Sequence, residues 1–135
     1  MEWADLRIDG IEFFSGAIMK RLFLKSMIHS AKVVEANIDY IGSITIDEEL
    51  MEKALLTENE TVYVVDRTNG NRIKTYVIKG ERGIGIIGMN GAAAHLIKDG
   101  DVVDIMSFVV AESSMKPLVV SVDEKNMFAG YINEF

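Results

Sequence analysis

Any chemistry in this chain rests on few side chains. Cysteine is absent, which removes a disulfide scaffold, a thiolate zinc site, an iron–sulfur cluster and a cysteine nucleophile. The two histidines, His29 and His95, lie far apart and form no H-x-H or H-E-x-x-H pair, so each reads as a structural hydrogen-bonder. A Ser-His-Asp set exists on paper, but G-x-S-x-G is missing. Gly83-Ile84-Gly85-Ile86-Ile87-Gly88 matches G-x-G-x-x-G. That fingerprint needs its glycines in a turn before a long helix, whereas isoleucines here favour a strand with flexible glycines. What remains is a set of polar residues in three places: Tyr40-Ile41-Gly42-Ser43; Arg72, Thr75 and Tyr76; and Asn90-Gly91-Ala92-Ala93-Ala94-His95. Taken singly they read as a loop, ordinary strand composition, and a turn leading into a helix.

Short strands must position them. Leu22–Glu35 and Tyr40–Ile46 are rich in apolar and β-branched residues, and Asp47–Leu55 reads as a short helix with Asp47, Glu48 and Glu49 at its positive end. Thr61–Asp66 and Arg72–Lys79 are predicted strands around Asn69-Gly70, a hairpin signal. Ile84–Met89 is a further strand, Asn90–Ile97 a helical turn stopped at Asp99-Gly100, and Asp101–Val110 and Leu118–Val122 are the last strands, separated at Pro117. Residues 127–135 keep apolar and aromatic side chains and should dock on the domain or on a neighbour. The pattern predicts a mainly β fold, a small barrel with a few short helices. Residues 1–20 form an N-terminal extension to a domain spanning 21–135. Ile8, Ile11, Phe14 and Ile18 fit an amphipathic helix that Gly10 and Gly16 weaken, with an irregular arm as the alternative.

Composition limits the partners. The chain has 135 residues, enough for one core, and 14 basic against 21 acidic residues give a net charge of −7 with no basic stripe. Nucleic-acid binding is therefore not expected. No apolar run is long enough for a membrane span, and acidic Glu2, Asp5, Asp9 and Glu12 do not suit a secretory signal, so a cytoplasmic protein is expected. The eight methionines are scattered, as adaptable core fillers would be, rather than gathered in a copper or haem box.

Taken together and in order, three blocks resemble the pyruvoyl-dependent aspartate 1-decarboxylase family. They are Tyr40-Ile41-Gly42-Ser43-Ile44-Thr45-Ile46-Asp47, Asn69-Gly70-Asn71-Arg72-Ile73-Lys74-Thr75-Tyr76, and Glu81-Arg82-Gly83 running on to Asn90-Gly91-Ala92-Ala93-Ala94. The resemblance covers about residues 22–110. It implies a double-psi β-barrel, a homotetramer, and conversion of L-aspartate to β-alanine and carbon dioxide for pantothenate and coenzyme A synthesis. It also implies self-cleavage between Gly42 and Ser43, unaided or with a maturation factor, leaving a covalent pyruvoyl group derived from Ser43 and requiring no metal. A decarboxylase needs an electron sink that no ordinary side chain provides. In the family the substrate amine forms a Schiff base with the pyruvoyl ketone.

By the same resemblance Ser43 Oγ attacks the Gly42 carbonyl, a step that the missing Cβ of glycine should ease, and Thr75 assists it. Tyr76 is the expected proton donor and Arg72 the carboxylate-binding arginine. Asn90, Gly91, Ala92 and Ala93 line the substrate pocket at a helix start. The first strand departs from the family pattern. Lys25-Ser26-Met27-Ile28-His29-Ser30 has Met27 where a carboxylate-binding lysine is expected and Ser30 where an arginine is expected, while His29 is retained. Lys25, two residues before Met27 and about 6.6 Å away on an extended strand, would share its face and reach the site. Two alternatives remain from the residues: a decarboxylase for a less acidic amino acid, and an uncleaved barrel that binds a ligand or partner.

Overall fold

A computed structural model describes residues 18–133. The proposed helix or arm of residues 1–20 lies almost wholly outside them. The strands are β1 (Arg21–Lys32), β2 (Glu35–Asn37), β3 (Ser43–Asp47), β4 (Thr61–Asp66), β5 (Arg72–Gly80), β6 (Ile87–Asn90), β7 (Val102–Ala111), β8 (Leu118–Val122) and β9 (Phe128–Tyr131). Among the described residues, one helix, α1 (Glu48–Lys53), and a 3-10 turn at Gly91–His95 complete the elements. Among the described residues no helix is long and apolar enough to cross a membrane.

The strands form one sheet in the order β2-β6-β3-β5-β4-β7-β1-β8-β9. Only Val33 and Val34 separate β1 from β2, yet these strands sit far apart in that order. The two valines bridge the gap, Val33 N–H donating to Asp101 O at 2.8 Å and Val34 N–H to Ile87 O at 2.9 Å. One continuous segment therefore links the β2 edge of the sheet to β1, six strands away in the order, so the sheet curls round on itself. Three pairings are parallel, β1 with β8, β2 with β6 and β3 with β5, so crossed connections run through an otherwise antiparallel wall. This is the small double-psi β-barrel with few short helices that the resemblance implies.

The interior follows strand alternation. Ile44 and Ile46, Val62 and Val64, Val103 and Ile105 each project inward from every second position and are almost wholly buried. Met51 and Met89 are also buried, whereas Met115 is exposed. Helix α1 starts because the Asp47 carboxylate accepts from Glu49 N–H at 2.8 Å, an N-cap with acidic residues in the first turn.

Two strand expectations need correction. The segment from Tyr40 is extended only from Ser43 onward; Tyr40 and Ile41 are 54% and 73% exposed in a turn. The strand expected from Ile84 begins at Ile87. Gly83 and Gly85 instead adopt φ of 84° and 72°, and both donate their N–H to the buried Asp47 carboxylate, at 3.0 and 2.7 Å. A buried acceptor overrode the strand preference of the isoleucines, and only Gly88 of the three glycines lies in a strand. The C-terminal segment docks on its own domain, as β9 paired to β8, with Tyr131 Oη donating to Lys53 O at 2.8 Å.

Candidate active site

Ser43 opens β3 directly opposite Asn90, the last residue of β6. Its side chain is fully buried, and Asn90 is 6% exposed. With the 42–43 peptide intact, Ser43 Oγ donates to Ile41 O at 3.1 Å and accepts from Asn90 Nδ2 at 2.9 Å. Asn90 Nδ2 also donates to Thr45 Oγ1 at 3.0 Å, so one amide group holds two hydroxyls of β3.

The turn before Ser43 rests on Gly91. This residue has φ of 74°, and a Cβ on it would lie 2.6 Å from Gly42 Cα and 2.8 Å from Gly42 N. The backbone of residue 42 therefore packs on residue 91 where only glycine fits. Gly42 itself is different. Its φ is not positive, and the nearest atom to a Cβ there is Asn90 O at 4.0 Å. Gly42 thus needs neither a positive φ nor the missing Cβ for packing, and the steric demand falls on Gly91.

Gly42 opens onto a cleft of about 440 Å³ lined also by Ile73, Lys74, Thr75, Tyr76, Asn90, Ala92, Ala93 and Leu96. The parallel register of β3 on β5 sets Ile44 beside Val77, so two residues upstream Gly42 runs beside Thr75. The 3-10 turn carrying Ala92 and Ala93 is held to the β4–β5 hairpin by Asn69 and Asn71, whose Nδ2 groups each donate to Leu96 O at 3.0 Å. Sequence reasoning left Ile73, Lys74 and Leu96 out of the site. Lys74 had one signal, its place between Arg72 and Tyr76 in strand alternation.

The other expected residues lie elsewhere. Arg72 lines a separate recess of about 320 Å³ with Leu22, Tyr63, Val65, Met106 and Phe108. Met27 pairs with Met106 on the β1–β7 ladder. His29 Nδ1 lies 2.9 Å from Asp104 Oδ1. Lys25 does not share the face of Met27. The ladder shifts register between Leu24 and Ser26, a bulge that breaks two-residue alternation. Lys25 Nζ donates instead to Leu55 O at 2.6 Å and to Glu60 Oε2 at 2.8 Å. Burial pushes the Glu60 carboxyl up, but hydrogen bonds from Lys25, Ser107 and Thr57 N–H outweigh it and hold it below the ordinary value. Lys25 is thereby committed to Glu60.

The aspartate decarboxylase family model matches residues 19–129. The aspartate 1-decarboxylase of Acetivibrio thermocellus is 58% identical over 107 residues, covering 76% of this chain and 85% of that protein. The aspartate 1-decarboxylase of Caldicellulosiruptor saccharolyticus is 52% identical over 115 residues, covering 82% and 90%. Among solved structures, the computationally designed msDPBB_sym2 protein covers 66% of this chain and 99% of its own, with a TM-score of 0.46 and 24% identity. The chain belongs to the aspartate decarboxylase family.

Proposed function

We propose that the chain cleaves itself between Gly42 and Ser43 and then converts L-aspartate to β-alanine and carbon dioxide, serving pantothenate and coenzyme A synthesis in the cytoplasm. The observation that carries this reading is Ser43 Oγ, buried and held by Asn90, next in the chain to Gly42, which opens onto a cleft lined also by Thr75 and Tyr76.

Cleavage begins when Ser43 Oγ leaves Ile41 O and attacks the Gly42 carbonyl carbon. The Asn90 amide keeps that oxygen oriented. The Thr75 hydroxyl, on the strand beside Gly42, serves as a donor to the oxygen that becomes negative. A C–O bond forms as the C–N bond breaks, and the nitrogen becomes an amine. Loss of the residue-43 Cα proton expels Gly42 as a carboxylate that carries away the former Ser43 oxygen. Water then displaces ammonia and leaves the pyruvoyl group on a chain of residues 43–135. Its ketone supplies the electron sink that decarboxylation requires.

The cleft fits that group and a small amino acid, since residue 42 opens directly onto it. Cleavage also deprives Asn90 Nδ2 of its acceptor at residue 43. One of its two N–H groups is then free for the substrate, while the other stays on Thr45 Oγ1, and leaving a buried donor unpaired is costly. Ala92 and Ala93 leave room beside it, and the phenol of Tyr76 returns a proton to the substrate Cα after carbon dioxide leaves. Arg72 binds a substrate carboxylate in the homotetramer, in which the recess of one copy meets the cleft of another. Exposed Leu22, Tyr63, Phe108 and Val110 on the same wall support that assembly.

Intact-mass analysis tests the reading. The protein should resolve into chains of residues 1–42 and 43–135, the longer reacting with a carbonyl reagent, while Ser43→Ala stays whole. The processed protein should release carbon dioxide from L-aspartate in preference to a panel of other amino acids. A protein that remains uncleaved after prolonged warm incubation, with a cell extract supplying any maturation factor, would refute it.

A further inference from the structure

We propose that Lys74 reads the side-chain carboxylate that aspartate retains, supplying the positive charge that Met27 does not. This rests on the decarboxylase reading above. A carboxylate taken from water into a cleft is costly without a cationic partner. Of the residues lining this cleft, Lys74 alone is charged. The other candidates are accounted for: Lys25 is bound to Glu60, position 27 is a methionine, and Arg72, in the neighbouring recess, is assigned to the substrate's other carboxylate, the one that leaves as carbon dioxide.

Lys74 is uncommitted. Among the described residues it takes part in no side-chain hydrogen bond and no ion pair, unlike Lys25 and Lys79. Its cross-strand partner on β4 is Tyr63, which does not neutralise it. It lies between Ile73 and Thr75 on the strand that flanks Gly42, and it lines the same cleft as Tyr76, two residues further along that strand. The remaining lining, Ile73, Ala92, Ala93 and Leu96, is apolar. A low-polarity wall strengthens a single charge pair and leaves Lys74 to discriminate aspartate from uncharged amino acids.

The test compares self-processed wild type, Lys74→Met and Lys74→Arg on L-aspartate, with succinate as a competing dicarboxylate. Appearance of the two cleavage fragments reports that each variant is folded, and Lys74→Gln replaces the methionine variant if that one fails to process. One charge-assisted contact corresponds to a loss of about 10- to 100-fold. Lys74→Met should raise KM for aspartate by about that factor, with a smaller change in kcat, and weaken succinate inhibition in parallel. Lys74→Arg should recover most of the loss. Processed Lys74→Met or Lys74→Gln with wild-type KM and wild-type succinate inhibition overturns the Lys74 assignment and leaves the decarboxylase reading standing. A processed wild type that does not turn over aspartate overturns both.

Discussion

Replacing Gly91 by alanine should slow self-cleavage by displacing the backbone of Gly42, with Ser43, Asn90 and Thr75 left chemically unchanged. The added Cβ would stand 2.6 Å from Gly42 Cα, 2.8 Å from Gly42 N and 3.1 Å from Tyr40 O, all backbone atoms. Reaching ordinary contact at 3.4 Å requires residue 42 to retreat by about 0.8 Å. Alanine at φ of 74° adds a second penalty. The left-handed conformation costs about 1–2 kcal/mol, and forcing a methyl into a packed site about 1–3 kcal/mol. The total, about 2–5 kcal/mol, is a large part of the stability of a domain this size, about 5–15 kcal/mol. Ser43 stays clamped by Asn90 while Gly42 moves, so the attacking oxygen and its target separate. A misplacement near 1 Å costs about 100-fold in rate, and cleavage should slow by that order. Intact mass followed over time measures the rate, and urea unfolding of the variant in a Ser43→Ala background measures stability without interference from cleavage. Gly88→Ala is the control, because its Cβ would meet Thr45 Cβ at an ordinary 3.6 Å. If Gly91→Ala cleaves at the wild-type rate and unfolds within about 0.5 kcal/mol of its parent, the packing argument for residue 91 is wrong.

Two other perturbations address chemistry and stability. Tyr76→Phe keeps the ring and removes the acidic proton, so cleavage should proceed while kcat falls by roughly 100-fold or more; an unchanged kcat would reject Tyr76 as the donor. Asp66, fully buried at the end of β4, has its Oδ2 facing no protein donor. Burial and then its hydrogen bond to the Asp101 carboxyl push Asp66 above its ordinary value of 3.8, while Asp101 is held below its own by Asp66 and by Lys98 N–H. The two shifts run in the opposite directions expected of a carboxyl pair in which Asp66 holds a proton more tightly than Asp101. A raised folded-state pKa means that the native state binds this proton more tightly than the unfolded chain. The contribution of Asp66 is then complete below the ordinary aspartate value and is lost as pH rises through the raised one. The lowered Asp101 acts in the opposite sense, its contribution fading as pH falls below the ordinary value. Asp66→Asn provides a permanent donor, and its urea midpoint should fall less than that of the wild type as pH rises from acid to neutral. Parallel curves would show that Asp66 does not hold that proton.

Much of the barrel is legible in local pattern. Alternating apolar residues locate β4, β5, β7 and β8 to within a residue or two, Asn69-Gly70 marks the hairpin, and Asp47 marks the helix start. These features depend on a residue and its near neighbours, so sequence suffices. The three polar blocks, taken in order, also identified the family that the comparisons show. Position across the barrel was not legible in the same way. The cleft joins Gly42, residues 73–76 and residues 90–96 through crossed connections, and no periodicity relates them. Only the closed barrel decides that Gly91 rather than Gly42 must lack a side chain, and that Asn90 clamps Ser43. The bulge at Lys25 cancels an alternation that spacing alone assumes, and turns that lysine to Glu60. Lys74 enters the site only because the parallel pairing of β3 on β5 brings its strand against Gly42. Side-chain type and local hydrogen bonding choose the elements, whereas closure of the sheet decides which of those side chains meet.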